Sequence, residues 1–111
     1  MATPKTDLLQ GTLDLIVLKL LRAGPSNGWD LTQAIQAASR GALDVNYGSL
    51  YPALRRLEAR GFARAQWGTS ENNRRARYYE LTAAGRRQLE VEREAWERFA
   101  GALDLILGSE R

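Results

Sequence analysis

Seven of the sixteen basic residues crowd into one stretch, Arg55, Arg56, Arg60, Arg64, Arg74, Arg75 and Arg77, with only Glu58 and Glu71 among them. That stretch carries a local +5, while the other 88 residues sum to −2. A guanidinium group is a rigid fork of N–H donors that matches phosphate oxygens and the major-groove edge of guanine. Arginines clustered on one part of a small domain are therefore the electrostatic footprint of a nucleic-acid binder. A solvated arginine-rich surface is the plainer alternative, and charge alone leaves both open.

Other chemistries have little to work with. The 111 residues include no histidine and no cysteine, which removes thiol nucleophiles, disulfides, Cys/His zinc sites and the Ser-His-Asp triad. Carboxylates remain at Asp14, Asp44, Glu90, Glu92, Glu94 and Glu97. The glutamates alternate with arginines along one predicted helix, where pairing four residues apart, as between Glu94 and Arg98, accounts for them. No catalytic residue, metal or cofactor is expected. At 44% hydrophobic and 26% charged, the chain resembles one ordinary globular domain. The longest apolar run, Leu8 to Leu21, is interrupted by Gln10, Gly11, Thr12, Asp14 and Lys19, so it reads as core rather than a membrane span. Without a signal-peptide cleavage pattern or a lipidation motif, the expected address is cytoplasmic.

The elements that must position the arginines follow from periodicity. Thr6 or Asp7 can cap a first helix carrying Leu8, Leu9, Leu13, Ile16, Val17, Leu20 and Leu21. Gly24-Pro25-Ser26-Asn27-Gly28 stops it. A second helix from Trp29 to about Ser39 brings Trp29, Leu31, Ile35 and Ala38 toward a core, and Arg40-Gly41-Ala42 ends it. In the third, from Gly48 to Arg60, Leu50, Leu54 and Leu57 share a narrow arc, with Gly61 as the stop. Opposite them lie Gly48, Ser49, Pro52, Arg55, Arg56 and Ala59, with no acid. Proline belongs in a first turn, so this helix is expected to start near Gly48 or Ser49. Its outer face is small and smooth at one end and bears two arginines a turn further in, which suits close approach to a major groove. An ordinary amphipathic helix explains the same pattern.

Phe62 to Trp67 and Arg77 to Leu81 read as two short strands, with Gly68 to Ala76, including Asn73, as the loop between. Three helices followed by a hairpin with a basic tip is the order of a winged helix-turn-helix. There, helix three reads the major groove and the wing lies on the backbone or minor groove. The expected fold is mainly α with a small β-hairpin wing.

Thr82 can cap a last helix from about Ala83 to Leu107. Leu89, Glu92, Trp96, Phe99, Leu103 and Ile106 alternate three- and four-residue spacings, a heptad seam with one polar member. At roughly 37 Å, such a helix is longer than a domain this small can cover, so Leu89, Trp96, Phe99, Leu103 and Ile106 are expected to form a homodimer interface. The alternative is a helix folded back on its own core. The division is thus a DNA-binding domain over 1–81 and a C-terminal dimerisation helix over 82–111.

At this level the chain resembles a known family. LQGTLDLIVLKLL (Leu9 to Leu21), GPSNGWDL (Gly24 to Leu31), GSLYPALRRLEARG (Gly48 to Gly61) and RRARYYELTAAGRRQL (Arg74 to Leu89) are similar to successive signatures of PadR-like transcriptional regulators. The resemblance implies a dimeric winged-helix repressor of operator DNA, of the short kind with a single C-terminal helix, often released by a small ligand. It places Ser49, Tyr51, Pro52 and Arg55 in the recognition-helix motif, Arg74, Arg75 and Arg77 in the basic wing, and Tyr78 and Tyr79 in the strand closing it. Trp96 and Phe99 are similar to aromatics that line a dimer-interface ligand site in some relatives, which makes them candidates for a planar aromatic effector. Packing is the plainer reading of that pair. Asn27, Trp29, Ala63 and Arg64 depart from the family pattern.

The expected partners are therefore double-stranded operator DNA, a second copy, and a planar aromatic ligand. Arg55 or Arg56 is the candidate for a guanine contact, and the wing arginines for phosphate or the minor groove. A different class of function also fits: a dimeric winged-helix module that holds an acidic protein partner without reading DNA sequence.

Overall fold

The computed structural model describes residues 7–108, so Thr6, one of the two expected caps of the first helix, lies outside it. The elements are α1 (Asp7–Leu21), β1 (Ser26–Asn27), α2 (Gly28–Ala38), α3 (Tyr47–Ala59), β2 (Ala63–Thr69), β3 (Arg75–Leu81) and α4 (Ala83–Leu107). Four helices and a small antiparallel sheet make a winged helix-turn-helix, the class expected from the element order.

Leucine periodicity builds the core. Val17, Leu18 and Leu21 of α1, Leu31 and Ile35 of α2, and Leu50, Leu54 and Leu57 of α3 are all buried, with Tyr79, Leu81 and Leu89 closing the cluster. Leu13, Ile16 and Leu20 pack against its edge. Trp29 departs from expectation, with 67% of its surface exposed. Two residues before Leu31 it points about 200° around the helix from the buried stripe, so the side that buries Leu31 and Ile35 must expose it. Ala38, at the last position of α2, is also exposed.

The segment read only as a loop contains a strand. Ser26 and Asn27 pair antiparallel with Tyr79 and Tyr78, and the sheet order is β1-β3-β2. A two-residue strand is too short to leave a period in sequence. The wing strands run longer than expected, through Thr69 and from Arg75, so only 70–74 form the tip. Asn73 sits there at φ +59°, a left-handed conformation that asparagine tolerates, and its N–H donates to the Ser70 carbonyl at 2.9 Å.

α3 begins earlier than its proline suggests. Asn46 caps it, its side-chain oxygen accepting from Ser49 N–H at 2.9 Å, and Pro52 is the sixth helical residue. Pro52 therefore sits in the second turn, where it cannot donate to the Gly48 carbonyl. The far end closes as expected at Gly61 (φ +80°). Gly61 N–H donates to Glu58 O, and Phe62 N–H to Leu57 O, the paired bonds of a left-handed glycine cap.

Thr82 caps α4 as expected, accepting from Gly85 N–H at 3.0 Å while its hydroxyl donates to Gly61 O at 2.7 Å. A Cβ at position 85 would run into the Phe62 carbonyl, so glycine is needed where α4 leaves the sheet. The first turns of α4 belong to the core. Leu89, expected on a dimer seam, is 1% exposed and packs within its own chain. Trp96, Phe99, Leu103 and Ile106 are exposed further along, joined by Leu105 and Leu107. The seam therefore divides: its first member closes the domain, while its other apolar members stay exposed to solvent.

Candidate nucleic-acid interface

The exposed face of α3 carries Gly48, Ser49, Pro52, Arg55 and Ala59, with Tyr51 half-buried beside them. These exposed positions carry no bulky apolar group and no carboxylate, and the exposed Tyr47 ring stands at the start of the helix beside them. Arg55 is held rather than loose: its Nη1–H donates to Tyr51 Oη at 3.0 Å, and its guanidinium lies 5.7 Å from that ring. This bond raises the pKa of Arg55 above its ordinary value. The Tyr47 ring packs 5.6 Å from Tyr51, and Gly28 leaves the space that the Tyr47 ring occupies.

Arg56 is different. Its Nη2–H donates to Asp14 Oδ1 at 2.7 Å and its Nε–H to Oδ2 at 3.3 Å, a fork-like pair between α3 and α1. One residue beyond Arg55, it has turned about 100° toward α1 and is half-buried. Of the two arginines offered as guanine contacts, Arg55 alone faces outward without a carboxylate partner among the described residues.

The wing divides its arginines in the same way. β2 and β3 pair in continuous register from Ala63↔Leu81 to Thr69↔Arg75. Alternation places Ala63, Ala65 and Trp67 on one face with Arg75, Arg77, Tyr79 and Leu81. That face turns toward α3. Arg77 Nη2–H donates to Glu58 Oε2 at 2.7 Å, and the Arg75 guanidinium lies 4.6 Å over the Trp67 ring. Arg74 is exposed at the tip, next to Asn73. On the outer face Arg64 pairs with Glu80 at 2.9 Å. Arg60 lies 4.8 Å over Phe62.

Three of the seven clustered arginines are thus engaged with carboxylates, and Arg55, Arg74 and Arg75 form the exposed cationic set nearest α3 and the wing tip. Asn27, Gly28, Tyr47, Tyr51, Trp67, Arg75, Ala76 and Arg77 line one cleft of about 370 Å³ between the start of α3 and the wing. This cleft joins the two halves of the expected interface into one surface. Two participants escaped sequence reasoning. Asn46 had a legible signal, a favoured capping residue just before Tyr-Gly-Ser. Glu58 had none, because its partner lies nineteen residues away.

Trp96 and Phe99 stand 5.7 Å apart on α4 and, with Gly11, Thr12, Leu15, Glu92 and Ala95, line a cleft of about 280 Å³ against α1. A larger apolar groove of about 400 Å³, lined among others by Leu15, Ile16, Leu20, Ile35, Leu43 and Leu89, opens nearby. Among the described residues no carboxylate cluster could hold a metal, and no helix is long and apolar enough to cross a membrane.

Comparison with known proteins places the chain in a family. The Transcriptional regulator PadR-like family model matches residues 17–91. The solved structure of a transcriptional regulator from Clostridium thermocellum is similar at TM-score 0.80 and 28% identity, over 89% of this chain and 96% of that one. A PadR family transcriptional regulator from Eggerthella lenta is similar at TM-score 0.75 and 30% identity, over 91% and 86%. A 37.1 kDa protein in a Streptomyces fradiae transposon is 39% identical over 87 residues, 78% of this chain, which spans about a quarter of that protein's length. The chain belongs to the PadR-like family, and by that membership is a transcriptional regulator rather than an enzyme.

Proposed function

We propose that the chain is a cytoplasmic, homodimeric repressor that binds operator DNA in a sequence-specific manner. In this reading α3 enters the major groove with Ser49, Tyr51, Pro52 and Arg55, while Asn73, Arg74 and Arg75 of the wing engage the flanking backbone or minor groove. The observation that carries it is the continuity of the small outer face of α3 with Arg74 and Arg75 of the wing, which, like Arg55, are not tied to a carboxylate among the described residues. Phosphate contacts then supply affinity and register, and Arg55, pre-oriented by Tyr51, supplies discrimination at a guanine.

The second copy is proposed to pack along α4. Supporting this, Trp96, Phe99, Leu103 and Ile106 leave a long apolar face exposed, while apolar grooves lie open against α1. Two-fold pairing would space two recognition helices for half-sites about one helical turn apart. The cleft at Trp96 and Phe99 is the proposed seat of a planar aromatic effector that releases the DNA.

The test uses two duplexes: one recovered from a random library by selection on the wild-type protein, and a scrambled duplex of equal length. The wild type should prefer the selected duplex by about 10³-fold or more. Arg74→Ala should weaken both duplexes alike and lower the salt slope by about 0.9 per protomer. Arg55→Ala should cost about 1 to 3 kcal/mol on the selected duplex and much less on the scrambled one. A protein that prefers no duplex, yet retains an acidic protein partner, would be the adaptor instead.

A further inference from the structure

We propose that Glu58 is a positioning residue that latches the wing to the recognition helix, that Trp67 positions Arg75 within the wing, and that the two together determine which wing arginines reach DNA. The proposal rests on the DNA-binding reading above and gives it an internal mechanism.

The hairpin needs such a device. Its base is anchored by Ala63, Tyr79 and Leu81 in the core, and β1 supports β3 only at Tyr78 and Tyr79. Beyond that point the wing is a two-stranded ribbon, which has little stability by itself and twists readily. On the face turned to α3, one contact ties the stretch between core and tip to the recognition helix, and a second stiffens the hairpin from within. Glu58 holds Arg77 at 2.7 Å, with both side chains about two-thirds withdrawn from solvent. Further out, the Trp67 indole carries the Arg75 guanidinium at 4.6 Å, and Trp67 is the direct cross-strand neighbour of Arg77. The two contacts therefore form one row leading from α3 toward the wing tip.

The row assigns different tasks to arginines that sequence treats alike. Arg77 is spent inside the protein: its charge fixes the wing angle and is neutralised by Glu58. Arg75, held by stacking rather than by an acid, keeps its full charge and N–H edges for a phosphate while losing its freedom to sweep the surface. Arg74 stands exposed at the tip. Glu58 is three residues beyond Arg55 on the same helix, so the wing is fixed relative to the very turn proposed to read bases.

The experiment combines salt-dependent titrations on the selected and scrambled duplexes with amide hydrogen exchange of the free, full-length protein. Glu58→Gln frees Arg77. It should speed exchange of hairpin amides 66–78 at least tenfold with the α1 and α3 core unchanged. It should also steepen the salt slope on scrambled DNA by about 0.9 per protomer, and cut preference for the selected duplex at least tenfold. Arg77→Ala should loosen the wing equally without lowering the salt slope. Trp67→Ala should lower preference for the selected duplex, and Trp67→Phe should restore it. The proposal is overturned if Arg77→Ala lowers the slope by about 0.9 per protomer while Glu58→Gln changes nothing, since Arg77 would then be an ordinary phosphate contact. It is overturned equally if exchange rises evenly through the core, which would make Glu58 a residue of general stability. If the wild type prefers no duplex, the DNA-binding reading fails and exchange alone decides the latch: hairpin amides at wild-type rates in Glu58→Gln would refute it.

Discussion

Asp14 on α1 and Arg56 on α3 stand forty-two residues apart in sequence and meet through two hydrogen bonds, at 2.7 and 3.3 Å. The side chains retain 13% and 32% of their exposure, so the pair is intermediate between a surface bridge and a buried one. It ties the recognition helix to the helix behind it and withdraws one arginine from the basic face. The latch at Glu58 performs the same service on the wing side, so α3 is braced by an ion pair on either flank.

Loss of Arg56 should therefore be felt as stability and not as DNA contact. Arg56→Ala is expected to cost about 1 to 3 kcal/mol, between the values for exposed and buried pairs, chiefly because Asp14 is left unpaired. Asp14→Ala/Arg56→Ala should recover part of that cost. The salt slope of DNA binding should stay at the wild-type value. Denaturation of the single and double variants gives the coupling energy, and a slope lowered by about 0.9 per protomer in Arg56→Ala would place Arg56 on phosphate after all.

Leu89 and Phe99 share the seam of α4 but should respond in opposite ways. Leu89→Ala opens a cavity in the domain core and should lower stability by about 2 to 5 kcal/mol. Phe99→Glu leaves the domain folded and places a carboxylate in the proposed dimer contact, where an unpaired buried charge is prohibitive. Sedimentation at micromolar concentration should show a folded monomer. A Phe99→Glu protein that stays dimeric would remove this stretch of α4 from the interface.

Tyr79 is buried, and its hydroxyl has no hydrogen-bond partner among the described residues. Tyr79→Phe should thus be neutral or stabilising by up to about 1 kcal/mol, since no bond is lost and a desolvated hydroxyl is relieved. Burial, partly offset by the nearby Arg77 charge, raises the Tyr79 pKa above its ordinary 10.0. The folded state then holds its proton more tightly than the unfolded chain. Stability from the neutral phenol is full below pH 10 and declines as pH climbs past it toward the folded value. Thermal unfolding from pH 8 to 11 should show a shallower alkaline loss for Tyr79→Phe, and identical slopes would mean that Tyr79 does not titrate differently on folding.

The Trp96 cleft can be examined in a chain carrying Trp29→Phe and Trp67→Phe, which leaves Trp96 as the single indole reporter. A planar aromatic effector should quench it saturably and release DNA over the same concentrations. A 100-fold release corresponds to about 2.7 kcal/mol of coupling. If a panel of such compounds leaves both signals unchanged while the dimer persists, Trp96 and Phe99 serve packing alone.

The class of fold was legible because local rules and tertiary demands agreed. The Leu50, Leu54 and Leu57 arc, the glycine stop at Gly61 and the Thr82 cap each depend on neighbours within a few residues and appear where the spacing puts them, and the hairpin between two runs of β-formers appears with longer strands and a shorter tip. The smooth outer face of α3 and the exposed arginines at the wing tip were legible for the same reason. Other features could not be read that way. Helical period gives the angle of Arg56 and strand alternation the face of Arg77, but neither says that Asp14 or Glu58 waits opposite, because those partners are brought in by the packing of separate elements. Leu89 and Phe99 have the same seam spacing, yet one is sealed in the core and the other borders an open cleft against α1, a matter of where the core ends. The amino-acid sequence by itself determined a winged helix with a basic face. The tertiary structure alone decided which arginines remain free to use it, since a guanidinium is available to phosphate only where folding has supplied no carboxylate.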